Sequence, residues 1–170
     1  MTAMIQARRA AREAALLLLF AVDAGHVQTP KEALERLAKP MRDDDEILGA
    51  IFTDQKESKV DVEQALRVFR NKAENWAFVE RLVQGVMNNR AAIDEMISRF
   101  SSTWKVSRMG QVDRNILRLA VYEMNFEEDP VPIRTTLNEA IEIAKRYGTE
   151  DSGKFVNGIL DRIARELQKV

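Results

Sequence analysis

Residues 112–126 read VDRNILRLAVYEMNF, and the fold class follows from them. Val112, Ile116, Leu117, Leu119, Ala120, Val121, Met124 and Phe126 are apolar nearly all round a 3.6-residue turn. A helix with only a narrow wet strip belongs in the middle of a domain. That strip is expected at Arg114, Arg118 and Asn125. Moving outward, Asp129 and Pro130 break the chain, and Pro132 opens a further helix that stops at Gly148. Asp151 or Ser152 is placed to cap a last helix to about 168, whose core face is Val156, Ile159, Leu160, Ile163 and Leu167. On the N-terminal side a long helix is predicted over 73–99, with Arg90 interrupting its stripe of Val79, Val83, Val86, Ile93, Ile97 and Phe100.

A first helix over 7–23 puts Ala10, Ala14, Leu17, Leu18 and Ala21 on one face. Pro30 opens a second at 31–39, with proline in the tolerated first turn. Residues 40–59 lack periodicity and read as a loop or surface excursion, and 60–72 as a short helix with a thin face. No alternating strand pattern occurs, so the chain is expected to be all-α.

Composition removes most enzyme chemistries. With 170 residues, 45% apolar, the chain suits one domain that buries roughly two-thirds of its unfolded surface. Zero Cys excludes disulfides, thiolate metal sites and Cys nucleophiles, and agrees with a reducing, cytoplasmic setting. A lone histidine, His26, leaves no His pair for zinc, and seven scattered Gly form no phosphate loop. No catalytic residue, metal or cofactor is therefore expected. Arginines followed by Ala14–Val22 mimic a secretory leader, but Glu13 and Asp23 flank that run, and it falls far short of the ~20 residues that span a bilayer.

The formal net charge is −1, whereas a chain that binds nucleic acid strongly by itself usually carries a basic excess. Any nucleic-acid role must rest on a local patch or a basic partner. Residues 1–12 hold Arg8, Arg9 and Arg12 and no acid, while Asp43, Asp44, Asp45 and Glu46 stand together.

Three features exceed what a core needs. Arg8, Arg9 and Arg12 fall opposite the Ala/Leu face of the first helix, with Leu16, Leu19 and Phe20 on that same side. Guanidiniums for phosphates beside an apolar surface for bases suit RNA; a solvated helix start beside a second packing face suits the same letters. Phe155 lies roughly 100° from the centre of the last helix's core face, flanked by Lys154 and Arg162. It fits either a stacking site or a ring covering a seam between helices. Asp113 and Glu123 project within the apolar arc of 112–126, where buried carboxylates need a partner: an internal Arg, or a docked basic protein.

The string Val112-Asp-Arg-Asn-Ile-Leu-Arg-Leu-Ala-Val-Tyr-Glu-Met124 resembles the central helix of the NusB transcription antitermination family. More specific is Leu137-Asn-Glu-Ala-Ile-Glu-Ile-Ala-Lys-Arg-Tyr-Gly148 followed by Glu150-Asp-Ser-Gly-Lys-Phe-Val-Asn-Gly-Ile-Leu-Asp161. Arg8-Arg-Ala-Ala-Arg-Glu-Ala14 and Leu82-Val-Gln-Gly-Val86 are similar to the family's arginine-rich start and middle helix. The resemblance covers about 7–38 and 76–168, leaving 39–75 as an insertion in a single domain over 1–170.

It implies a seven-helix bundle of two packed three-helix sets. It also implies binding to boxA-type single-stranded RNA of ribosomal RNA leaders, with the small-subunit ribosomal protein NusE and the transcription elongation complex as partners. Carried over by position, the RNA side falls on Arg8, Arg9, Arg12, Phe20, Arg118, Asp151, Lys154 and Phe155, with Asp113 and Glu123 left for a protein partner. Ala10 stands where members often carry another basic residue, and Phe20 where a Tyr is common. Monomer and homodimer both remain open. Two alternatives stand beside this: the NusB-like module found ahead of ribosomal RNA methyltransferases, and a helical adaptor that binds protein without touching RNA.

Overall fold

The structure is a computed structural model that describes residues 2–44 and 73–168. Among the described residues every regular element is helical and none is a strand, as the periodicity predicts. Contacts divide the chain into two compact units, 1–84 and 85–170. The expected short helix at 60–72 and most of the expected loop lie outside the described residues.

In the first unit, α1 spans Thr2–Asp23. It starts earlier than the apolar stripe alone suggests, and it is buried on more than one side: Ala7, Ala11, Ala15, Leu16 and Leu19 are in the interior along with Ala10, Ala14 and Leu18. Its end is a Schellman motif. His26 N–H donates to Ala21 O at 3.0 Å and Gly25 N–H to Val22 O at 3.0 Å. Gly25 takes φ +84° at the position where a Cβ would be strained.

The next helix begins at Thr29, whose Oγ1 accepts the Glu32 amide at 3.1 Å, while Glu32 Oε2 accepts the Gln28 amide at 2.9 Å. The Gln28 amide, and after it the Arg36 side chain, hold the Glu32 carboxyl below the usual carboxylate range. The stability this cap adds is therefore fully present above the usual carboxylate range and is lost as the pH falls from there through the lowered value. From α2 (Pro30–Ala33) the chain passes through a π turn, Leu34–Ala38, into α3 (Lys39–Asp43). Pro40 lies in the first turn of α3 and has no N–H to donate. The wider turn just before it lets the helix run on to Asp43, where a loop from residue 40 was expected.

The predicted helix over 73–99 is two: α4 (Ala73–Asn88), within which the unit boundary falls, and α5 (Arg90–Phe100). At the joint, Asn89 has φ −110° and ψ 12°, and its Nδ2 donates to Gly85 O at 2.8 Å. A short amide side chain competing for the preceding turn's carbonyl is enough to bend the helix there.

In the second unit α6 (Gln111–Val121) extends through a π turn, Tyr122–Phe126, closed by Glu127 N–H on Tyr122 O at 3.0 Å. Then come α7 (Ile133–Tyr147) and α8 (Ser152–Gln168). Helix α8 packs on α5, α6 and α7, burying the expected Val156, Ile159, Leu160 and Ile163 against Ile116, Leu117, Val121 and Ile143. Gly148 does end α7, but with φ −91° rather than in the left-handed region. It is glycine for want of space: a Cβ there would lie 2.4 Å from Ser152 Cβ and 2.7 Å from Ala144 O.

Two helical glycines make opposite demands. A Cβ on Gly85 would fall 2.0 Å from Tyr122 Cζ, whereas on Gly158 it would meet none of the described residues within 4 Å. Helix propensity alone favours Ala over Gly at both by about 1 kcal/mol. We expect Gly85→Ala to destabilise the protein by about 1–3 kcal/mol through overpacking on the buried Tyr122, and Gly158→Ala to stabilise it by about 0.5–1 kcal/mol. Urea unfolding midpoints of the two variants check both signs.

Candidate nucleic-acid interface

On the first unit the basic edge is organised by a ring. The guanidinium carbon of Arg8 lies 4.3 Å from the centroid of Phe78, that of Arg12 at 5.4 Å and that of Arg81 at 5.5 Å. The negative face of an aromatic attracts cations within about 6 Å, so Phe78 holds together arginines that would otherwise repel. Arg8 and Arg9 are half-buried, with Arg9 also engaged within the chain.

Arg12 is a correction. It was placed on an open side of α1, yet it is only 6% exposed. The side of α1 opposite the Ala/Leu face is also a packing face. For the same reason Leu16 and Leu19 are core, and of the three apolar residues expected beside the arginines only Phe20, 37% exposed, reaches the surface. Arg81 had no part in the sequence reading. Its one signal was an arginine three residues after an aromatic on a helix.

Arg118 is the second correction. Expected on a wet strip, it is 4% exposed. Its Nε donates to Asp94 Oδ1 at 2.7 Å, one terminal nitrogen to Asp94 Oδ2 at 2.9 Å and the other to Asn115 Oδ1 at 3.1 Å. A bidentate carboxylate satisfies a buried guanidinium in a way no lysine can. Arg118 thus fastens α6 to α5 from the interior rather than lining a wet strip. Glu123 is buried and engaged within the chain, which fits internal pairing rather than a docked protein. Asp113 is half-buried in the first turn of α6.

Around the start of α8 the second unit opens a groove of about 220 Å³. Its walls include Trp104, Phe155, Lys154 and Arg162, with Gly158 and Ile159 from α8. Phe155 is half-buried, so it is neither a core ring nor a free one, and Lys154 and Asp151 are exposed. The backbone carbonyl of Asp151 accepts the Phe155 amide at 3.0 Å in the first turn of the helix. Arg162 donates to Phe100 O at 3.1 Å and approaches Ser102 Oγ at 3.5 Å, which ties the 101–105 loop to α8. Trp104 is 52% exposed in that loop and was missed from sequence, though a tryptophan in the segment Ser102-Thr-Trp-Lys-Val-Ser-Arg108 is an aromatic among polar and basic neighbours.

The second unit thus presents Phe155 and Trp104 beside Lys154 and Arg162, and the first a basic edge whose guanidiniums gather over the buried ring of Phe78. The NusB family model matches residues 9–165. The chain belongs to the NusB family. The transcription antitermination protein NusB of Sorangium cellulosum is 39% identical over 164 residues, 96% of each chain. That of Thermotoga maritima is 60% identical over 86 residues, a match spanning 51% of this chain and 60% of the relative. A crystal form of T. maritima NusB superposes with a TM-score of 0.61 at 38% identity, covering 96% of this chain and 97% of the other. The fold is also that of a crystallised complex of the antitermination factors NusB and NusE with double-stranded RNA, at TM-score 0.61 and 22% identity, over 94% of this chain and 97% of that one. No described helix of this NusB-family chain is long and apolar enough to cross a membrane.

The burial pattern separates the arginines by role. Arg118→Ala should destabilise by about 2–4 kcal/mol, because it leaves Asp94 without its bidentate partner. Arg12→Ala should cost about 1–3 kcal/mol, whereas Arg9→Ala should stay within about 0.5 kcal/mol. Equal unfolding midpoints for all three variants would contradict this division.

Proposed function

We propose that this chain is a non-catalytic antitermination factor that binds boxA-type single-stranded RNA from ribosomal RNA leaders in the cytoplasm, as a heterodimer with NusE and in the setting of the transcription elongation complex. Membership of the NusB family supports this, and so does the NusB–NusE–RNA complex whose fold the chain shares. The observation that carries it is the groove of the second unit, where the half-buried ring of Phe155 stands beside Lys154 and Arg162, together with the basic edge at Arg8 and Arg9 in the first unit. Bases stack on rings and phosphates take guanidinium or ammonium groups, with no demand for a nucleophile or an acid–base pair.

Arg8, Arg9, Phe20, Lys154 and Phe155 are the proposed RNA contacts. Arg12 and Arg118 hold those contacts in place from the interior. Asp151 is exposed beside Lys154 and, being an acid, accepts hydrogen bonds from base edges rather than meeting phosphate. Asp113 is the proposed contact for a basic protein. The net charge of −1 explains why a partner is needed: the chain lacks the basic excess that binds RNA tightly alone.

RNA titrations test the proposal, with affinities compared at one fixed salt concentration and slopes taken from a salt series. Affinity for boxA-type RNA should be weak for the chain alone and much tighter with NusE. Arg9→Ala should flatten the salt dependence by about one unit of log–log slope. Phe155→Ala should cost about 1–3 kcal/mol of binding. Equal affinity with and without NusE would count against the shared site.

A further inference from the structure

We propose that the groove at the start of α8 is a slot for one unpaired RNA base, with Trp104 as a second stacking platform beside Phe155 and Gly158 as its floor; this deepens the function proposed above and rests on it. Trp104 is a large ring held half in water, where burial would be favourable. Its loop is not loose. Ser101 Oγ donates to the Trp104 carbonyl at 2.7 Å, and Arg162 grips the Phe100 carbonyl from α8. A fixed, exposed tryptophan is a surface preorganised for a partner.

Gly158 is the second observation. It lies seven residues into a 17-residue helix, where glycine is unfavourable, and none of the described residues approaches within 4 Å of a Cβ built there. Packing among the described residues gives no reason for a glycine at this place, unlike Gly85 and Gly148. A ligand that comes close to the helix backbone does give one.

Charge and size select the occupant. Among the described residues the lining holds Lys154 and Arg162, the hydroxyls of Ser101, Ser102 and Thr103, and no carboxylate. An engineered cavity of about 150 Å³ takes a benzene ring; this open groove of about 220 Å³ has room for one base but not a stacked pair. Rings for the base, cations for its flanking phosphates and hydroxyls for its polar edge match a single-stranded nucleotide better than an apolar helix, which would leave Lys154 and Arg162 unanswered.

The test uses the full chain with NusE and a short boxA-type single-stranded RNA. Trp104→Ala should lower RNA affinity roughly 5- to 150-fold, with the salt slope unchanged because no phosphate contact is lost, and Trp104→Phe should recover most of the loss. Gly158→Gln should fill the slot and lower affinity at least about 5-fold, while its unfolding temperature stays level or rises and NusE binding is unchanged. If Trp104→Ala and Gly158→Gln both bind RNA as the unaltered chain does while Arg9→Ala still weakens it, the slot is overturned and the general RNA function survives. If Gly158→Gln loses NusE instead, the groove holds protein and the slot is likewise overturned. If the unaltered complex does not bind the RNA, both proposals fall together.

Discussion

The second unit depends on the buried guanidinium of Arg118. A cation taken from water is costly unless every donor finds an acceptor. Here Asp94 supplies two acceptors and Asn115 a third, while Asn115 Nδ2 is itself tied to Gln111 O at 2.7 Å. The fork geometry of the pair sets the position of α5 against α6 more narrowly than apolar contacts, which tolerate sliding, would do alone. Helix α8 then packs on both, so the walls of the groove inherit their placement from that ion pair.

In the first unit an aromatic ring also gathers guanidiniums. Arg8, Arg12 and Arg81 converge on Phe78, which keeps the guanidiniums close at a fraction of the desolvation cost of a buried salt bridge. The stems of the arginines cover apolar surface while Arg8 keeps part of its head in water. Positive charge can in this way be stored on a chain whose formal total is −1.

Helices with one wet face were legible in the sequence. The last helix shows its core residues and its start because its period is clear and glycine and serine punctuate it. Helix α1 was half legible. Most of its alanines are buried, and small residues give no contrast between a face that meets solvent and one that meets a neighbour, so the letters left an RNA-facing side and a second packing face both open, and burial of Leu16 and Leu19 decides for packing, with Arg12 drawn in as well. Arg118 failed for a different reason: a charged letter in an apolar helix reads as wet unless its partner, here Asp94 on another helix, is known. Lys154 and Phe155 were legible from motif and angle, but Trp104 was not, since a loop has no period from which an exposed ring can stand out. The π turns were equally silent, being set by Pro40 in one case and by tertiary packing at Tyr122–Phe126 in the other.

That second π turn bears on how such a chain changes length. A π turn is an α-helix that has absorbed one extra residue, with the surplus taken up as local widening rather than passed along the backbone. Removing a residue within 122–126 would tighten the turn to ordinary α geometry and leave the angular phase of Ile116 and Leu117 on one side, and of the Pro130–Pro132 break on the other, where they are. A single-codon deletion, ruinous in most core helices because it rotates everything downstream by roughly 100°, has at this one point of the central helix a place to be absorbed.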